Sequence, residues 1–243
     1  MNKLKKYIKG KKHILFFDLE GTQFSHECIA IGAVLTLIDK NGKIKKEKNP
    51  LKIYVKAKNQ IGLYVENLTG IKEDTLIKEG VSFKDAMNAL KKYVGAAYKS
   101  CLFVTFGNHD LTIINKSISY NLDAPKEFCR HIQKNYCDFY SVISEYVKDE
   151  NNCPMSLVHY CELFSCLSEG PAHDPAVDAI NLKNLYEAFM KNEELVFERY
   201  KKVMCNYSKL PIPILRVIQK LAKGETVDPT FFEDEIRKSL KND

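Results

Sequence analysis

Two carboxylates separated by one leucine close an apolar run in this chain: Ile14-Leu15-Phe16-Phe17 leads into Asp18-Leu19-Glu20-Gly21-Thr22. In an extended strand, side chains two apart project to the same face, so Asp18 and Glu20 point together. Like charges that close are costly unless a cation lies between them; the alternative is that Glu20 already belongs to the turn opened by Gly21 and is solvated. Two further acids stand at comparable places. Asp110 follows the apolar run 101–106 by four residues and opens a helix, and Asp178 lies in the first turns of a helix capped by Asp174 and started by Pro175. An acid at a helix start is favourable without any further task. Strand ends and adjacent helix starts are also where sites of α/β sheets assemble, and four carboxylates gathered there would form a hard-oxygen cage suited to Mg²⁺ or Mn²⁺. His173, in Gly170-Pro171-Ala172-His173-Asp174, is exposed by its setting. It reads either as a surface histidine or, beside a divalent cation, as a group suited to take a proton from water.

The elements that must position these groups follow from the hydrophobic pattern. Residues 13–18 read as a short buried strand and 28–39 as a longer one, which the Asn41-Gly42 turn folds back onto a third, 43–55. The stretch 66–71 (ENLTGI) falls in a loop. Apolar residues at Phe83, Ala86, Met87, Leu90, Tyr93 and Val94 give helical spacing over 82–98, with Ser82 as cap. A strand over 101–106, a helix from about His109, a short strand near 135–138 and helices over 139–147, 156–167 and 175–190 complete the pattern. A meander followed by strand–helix alternation describes an α/β layer with a mixed sheet. Beyond Lys191 strand signals stop, and residues 193–243 read as two or three helices broken at 210–214 (LPIPI) and at Gly224. The expected organisation is a domain over 1–190 and a helical extension over 191–243.

Composition narrows the partners. The 243 residues carry a net charge of +6, with Lys3, Lys5, Lys6, Lys9, Lys11 and Lys12 crowding the start and a second cluster from Lys40 to Lys58. Such blocks suit a polyanion or a solvated lysine-rich surface equally well. Eight cysteines show no C-x-x-C pair, and the apolar run after the basic start ends at Asp18, too short for a signal-peptide core or a membrane span. A cytoplasmic chain with reduced thiols is therefore expected. Cys153, His159, Cys161 and Cys166 lack the paired spacing of zinc loops and read as packing residues.

Taken together, Asp18-Leu19-Glu20 in a first strand, Asp110 after a later one, and His173 five residues before Asp178 resemble the DEDDh 3′-to-5′ exonucleases of the RNase H-like superfamily, over residues 13–190. ENLTGI resembles the family's Leu-Thr-Gly-Ile wedge, and AHDPAVDA its histidine motif. TFGNHDL is most similar to the branch that contains RNA 3′-end-trimming exonucleases and bacterial sporulation-kinase-inhibitor-like exonucleases. The resemblance implies a three-layer α/β RNase H-like fold, with a mixed five-stranded sheet flanked by helices and a C-terminal helical extension. It implies that Asp18, Glu20, Asp110 and Asp178 hold two Mg²⁺ or Mn²⁺ ions while His173 acts as general base, releasing nucleoside 5′-monophosphates. Gly21 and Thr22 would lie at the terminal nucleotide with room left by the glycine, Phe24 would stack on a base, and Leu68, Thr69, Gly70 and Ile71 would form the wedge. The implied partner is single-stranded nucleic acid with a free 3′ end, RNA favoured over DNA, and no membrane. Asp174-Pro175 departs from the family's basic and small residues and adds a negative charge near an anionic substrate. Two other readings stand beside this one: the same chemistry on DNA, in proofreading or repair, and an inactive copy of the fold that binds and inhibits a protein partner.

Overall fold

A computed structural model describes residues 2–207 and 209–241 of the chain. The lysine-rich start, for which no element is expected, forms helix α1 (Asn2–Ile8). Leu4 and Ile8, one turn apart, are buried, so the turn is fixed by its apolar stripe and its lysines are left at the rim.

Strand β1 (His13–Gly21) pairs antiparallel with β2 (Cys28–Ile38), setting His13 opposite Leu37 and Asp18 opposite Gly32. The expected third strand is divided into β3 (Ile44–Glu47) and β4 (Leu51–Tyr54), both antiparallel to β2. Asn49-Pro50 falls at the break, where proline has no N–H to give to a ladder. Helices α2 (Leu63–Thr69) and α3 (Glu73–Glu79) occupy the stretch expected as a loop. They are short and mostly exposed, so their apolar periodicity is weak; Gly70 stops α2 in the left-handed conformation, at φ 70°. Helix α4 (Phe83–Val94) is capped by Ser82, whose Oγ accepts from the Asp85 N–H, and a 3₁₀ turn follows over Gly95–Ser100.

Strand β5 (Cys101–Thr105) is parallel to β1 and leads into α5 (His109–Tyr120). Helix α6 (Lys126–Lys134), not anticipated, precedes β6 (Tyr136–Asp138), which is parallel to β5. The sheet order is β3-β2-β1-β5-β6 with β4 also on β2, so the mixed sheet has six strands where five are expected, the extra one arising from the proline break. Helix α7 (Phe139–Ile143) is shorter than its pattern suggests, and α8 (Leu157–Leu163) and α9 (Pro175–Lys191) follow.

Alternation along β1 assigns the layers. Leu15, Phe17 and Leu19 face a core built with Phe83, Met87 and Leu90 of α4, Ile113 of α5 and Phe128 and Ile132 of α6. Phe16 faces the other way, its ring 5.3 Å from that of Tyr186 on α9, which also meets Phe139 at 5.7 Å. Each such fully buried ring contributes about 1.5–3 kcal/mol of transfer free energy. Asp18 and Glu20 continue the Phe16 face, so they point to the layer of α9.

Packing divides the chain into two units, one comprising residues up to Val142 with Ser156–Lys191, the other Ile143–Met155 with residues from Asn192 onward. In the second, α10 (Glu193–Cys205), α11 (Ile212–Ala222) and α12 (Pro229–Lys241) pack as successive neighbours. Pro211 stands at the N-cap of α11 and Pro213 in its first turn, where a missing N–H costs nothing. Glu150 takes Arg199 at 2.8 Å and Lys202 at 3.3 Å, and Arg216 joins Glu235 of α12 at 2.8 Å. A cavity of about 520 Å³ in this unit is bordered by Lys148, Glu150, Arg199, Lys202 and Lys223. No described helix is long and apolar enough to cross a membrane.

Candidate active site

Strand β1 delivers two acids to one face, and three local devices bring the others to them. Asp110 is the second residue of α5, reached through a turn in which Gly107 adopts φ 102°. Its Oδ1 accepts from the Leu19 N–H at 2.8 Å, which fixes the buried carboxylate between Asp18 and Glu20 along the strand. Asp174 caps α9, its Oδ1 accepting from the Ala176 N–H at 3.0 Å, and this orients the first turn that carries Asp178. His173, exposed and at φ 61°, is in the left-handed region that histidine visits more readily than most residues. Its backbone and the Asn181 side chain both favour the charged form of the Asp178 carboxyl. Glu20, His173 and Asp178 each present a donor atom within 4.8 Å of the other two.

The device not visible in the motifs is Gly32. A Cβ there would lie 1.9 Å from the carbonyl oxygen of Pro175 and 2.3 Å from the Ala176 nitrogen. Only a residue without a side chain lets the start of α9 touch β2 at the register position opposite Asp18. Asp178 and His173 flank that contact in sequence.

The electrostatics of the cluster are those of uncompensated acids. Burial, followed by the charges of Asp110, Glu20, Asp178 and Asp174, holds the Asp18 carboxyl well above its ordinary range. Burial, then Asp178, Asp110 and Asp174, pushes Glu20 up to about 8. Asp110 is raised to about 7, chiefly by burial and against the hydrogen bond from Leu19. Asp178 is raised by burial, with His173 opposing. Lys52 is engaged with Asp174 at 2.7 Å, so the extra charge of Asp174 is both paired and used as a cap. Glu20, Asp178 and His173 within ligand distance of one another, with Asp18 and Asp110 close enough to raise the cluster's carboxyl groups, fit a divalent ion, whose charge would return the acids to their ionised forms. Among the described residues, Cys153, His159, Cys161 and Cys166 do not converge as metal donors: Cys153 is exposed, while Cys161 is buried with its thiol donated to the Asn181 carbonyl at 3.5 Å.

A pH dependence follows. Raised carboxyl pKa values mean that the folded chain holds more protons than the unfolded one between the ordinary values of 3.8 and 4.5 and the folded values of about 7 and 8. The contribution to stability is full below that window and is lost as pH rises through it. The metal-free protein is expected to melt at a lower temperature at pH 8 than at pH 5.5, and Glu20→Gln to remove part of the decline, worth on the order of 2–4 kcal/mol. Melting curves in EDTA check this; identical pH slopes for parent and Glu20→Gln would contradict it.

The residues expected to meet a terminal nucleotide divide into two groups. Phe24 is 83% exposed, and Leu68 and Gly70 are exposed. Thr22 and Ile71 are instead buried. The Thr22 hydroxyl bonds Ser25 Oγ at 2.5 Å and accepts from the Glu27 N–H at 2.9 Å, and Ile71 packs with Ile29, Ile61 and Leu76. Both belong to the scaffold, because a turn and a small satellite core need their side chains. The space left by Gly21 also differs from expectation: a Cβ there meets Ile113 of α5 at 2.9 Å, so the glycine admits a core side chain. The Thr69 hydroxyl donates to Val65 O and accepts from the Ile71 N–H, shaping the end of α2. Leu63 and Tyr64, 74% and 64% exposed on the first turn of α2, add an apolar surface beside Leu68 that the sequence patterns did not single out. Their signal was available: two large apolar residues directly after Gly62.

No family model and no curated protein matches the chain. Solved structures do. Cell-death related nuclease 4 (CRN-4) superposes with a TM-score of 0.61 at 18% identity, over 76% of this chain and 66% of that one. The nuclease domain of 3′hExo, a DEDDh family member bound to rAMP, gives 0.57 at 16% identity, over 76% and 92%. E. coli Exonuclease I in complex with a dA16 oligonucleotide gives 0.58 at 15% identity, over 82% and 45%. The chain thus spans just under two thirds of the first and less than half of the last. What is shared at these identities is the fold, the α/β RNase H-like architecture of the DEDDh nucleases.

Proposed function

We propose that this chain, with the fold of the DEDDh nucleases, is a metal-dependent 3′-to-5′ exonuclease acting on single-stranded 3′ ends, RNA in preference to DNA. The observation that carries the reading is the convergence of Glu20, Asp178 and His173 within 4.8 Å of one another, with Asp18 and Asp110 close enough for their charges to act on the same cluster. These four carboxylates would hold two Mg²⁺ or Mn²⁺ ions. When bound, such ions lower the pKa of a coordinated water and offset charge on the phosphate oxygens. His173 takes the proton from the attacking water, which its exposed position among the acids allows. Asp110, tied to the Leu19 N–H, keeps its carboxylate aimed at the cluster. Phe24 offers a ring for base stacking, and Leu68 with Leu63 and Tyr64 separates the last nucleotides. The preference for RNA rests on the resemblance of TFGNHDL to the RNA-trimming branch; the likeness to 3′hExo bound to rAMP and the comparable likeness to Exonuclease I with dA16 support either substrate.

Side-by-side digestion of end-labelled single-stranded RNA, single-stranded DNA and duplexes in Mg²⁺, Mn²⁺ or EDTA tests this. The expected result is a ladder shortening from the 3′ end of single-stranded RNA, with nucleoside 5′-monophosphates as products and no cleavage in EDTA. His173→Ala is expected to lower turnover at neutral pH by about 10²–10⁴-fold. Cleavage that persists in EDTA would falsify the metal assignment, and internal cuts would overturn the exonuclease reading.

A further inference from the structure

Glu27 is 1% exposed, yet it is neither in the acid cluster nor paired with a cation. Its Oε2 accepts three hydrogen bonds, from the backbone N–H groups of Lys58 at 2.9 Å and Asn59 at 3.1 Å and from Asn59 Nδ2 at 3.1 Å. Its Oε1 is buried with no partner. A buried carboxylate with one orphaned oxygen carries a desolvation cost of a few kcal/mol, so the bonds on the other oxygen must hold something that an apolar side chain could not.

What they hold is a junction. The backbone carbonyl of Glu27 closes the turn that begins at Thr22, accepting from the Thr22 N–H at 2.8 Å, and that turn follows Glu20 and Gly21 directly. The turn carries Phe24. The segment clamped by Oε2 runs into Ile61, Gly62 and α2, which carry Leu63, Tyr64 and Leu68. Two further bonds reinforce the weld: the Gln23 N–H donates to Ile61 O at 2.8 Å, and Gln23 Oε1 accepts from the Tyr64 N–H at 3.2 Å. Ile61 is also anchored from beneath, its N–H donating to Glu73 Oε1 at 2.7 Å. The exposed aromatic and aliphatic groups are therefore one platform, fixed relative to the acid strand through Glu27.

We infer that Glu27 is a positioning residue that locks the Phe24 turn to the α2 segment and so sets the distance between the terminal nucleotide and the carboxylates. The inference rests on the proposed exonuclease reading. Two variants separate its parts. Glu27→Gln keeps an oxygen in the place of Oε2 and puts an amide in the orphan position; Glu27→Leu keeps the bulk and removes both side-chain acceptors while leaving the backbone bond to Thr22.

Three measurements are compared for parent and variants: kcat and KM on a single-stranded RNA oligonucleotide, turnover of bis(p-nitrophenyl) phosphate, which has no base to meet the platform, and oligonucleotide Kd by anisotropy in Ca²⁺. Glu27→Leu is expected to raise KM and Kd for the oligonucleotide about tenfold or more while turnover of the small diester stays within about threefold, and Glu27→Gln to return KM and Kd to within about threefold of the parent. Unchanged oligonucleotide KM and Kd in Glu27→Leu, or equal losses on both substrates, overturn the inference. If the parent hydrolyses neither substrate, the exonuclease reading fails, and the Kd of Glu27→Leu against the parent still decides the role of Glu27.

Discussion

A methyl group at Gly32 is expected to lower exonuclease turnover by about a hundredfold or more without touching any of the five candidate catalytic side chains. The added Cβ would lie 1.9 Å from Pro175 O and 2.0 Å from Pro175 C, and both atoms are backbone, with no rotamer to give way. Either the start of α9 lifts by more than an ångström or β2 bows away from it. Asp178 and His173 travel with α9, whereas Asp18, Glu20 and Asp110 stay with the sheet, so the cluster opens along one side. A misplacement of about 1 Å is enough to cost on the order of 10² in rate, and overpacking adds about 1–3 kcal/mol of destabilisation. Steady-state turnover of Gly32→Ala at saturating Mg²⁺, with a melting curve alongside, is the measurement. Gly21→Ala is the control: its Cβ crowds the flexible Ile113 side chain at 2.9 and 3.0 Å and meets the Glu27 carbonyl oxygen at an ordinary 3.6 Å. It is expected to lose less than about tenfold, since a side chain can shift where a helix backbone cannot. Parent-like turnover in Gly32→Ala would show that the start of α9 does not set the site.

Asp18→Asn is expected to separate activity from stability in the opposite sense. Turnover should fall by roughly four orders of magnitude, about 5 kcal/mol on the barrier, because one of the four oxygen donors becomes neutral. The metal-free protein should become more stable by about 1–3 kcal/mol, since burial and four neighbouring acids all oppose the Asp18 charge. Adding Mg²⁺ should then raise the melting temperature of the parent more than that of the variant, as ligand linkage requires. Melts in EDTA and in Mg²⁺, paired with turnover, give all three quantities. A variant that melts below the parent in EDTA would mean that Asp18 is held by favourable contacts, and the description of an uncompensated cluster would be wrong.

The parts of this architecture that were legible in the sequence are those with strong periodicity or strong local chemistry. β1, β2 and β5 are apolar runs bounded by turn residues, α4 has an apolar stripe and a serine cap, and α9 opens on Asp174-Pro175. The four acids and His173 stood out as candidates because they lie toward the ends of elements: Asp18 and Glu20 in the second half of β1, Asp110 and Asp178 in the first turns of α5 and α9, and His173 in the loop before α9. What escaped has physical reasons. α2 and α3 are seven residues each with at most one buried side chain, so no stripe marks them. α6 has only three buried residues among charged ones, Phe128, Cys129 and Ile132. Gly32 lies inside an apolar strand with nothing in its neighbours to show that a helix start would land on it. Thr22 and Ile71 carry the right residue types for a ligand, but solvent exposure is a property of the folded chain, and both are turned inward.

The break at Asn49-Pro50 bears on what the edge of the sheet offers to another chain. β2 buries ten of its eleven residues, which is the composition of a segment able to recruit further strands. The edge beyond it is cut into two four-residue strands with a proline at the interruption, and β3 contributes Lys45, Lys46 and Glu47. At the opposite edge β6 is three residues long. Short, charged and proline-interrupted edges offer no continuous row of free N–H and C=O groups on which another chain could template itself. The interruption that added a sixth strand to the sheet is thus also a guard against edge-to-edge aggregation, and Pro50→Val, which would let β3 and β4 fuse, changes that guard without approaching the acids.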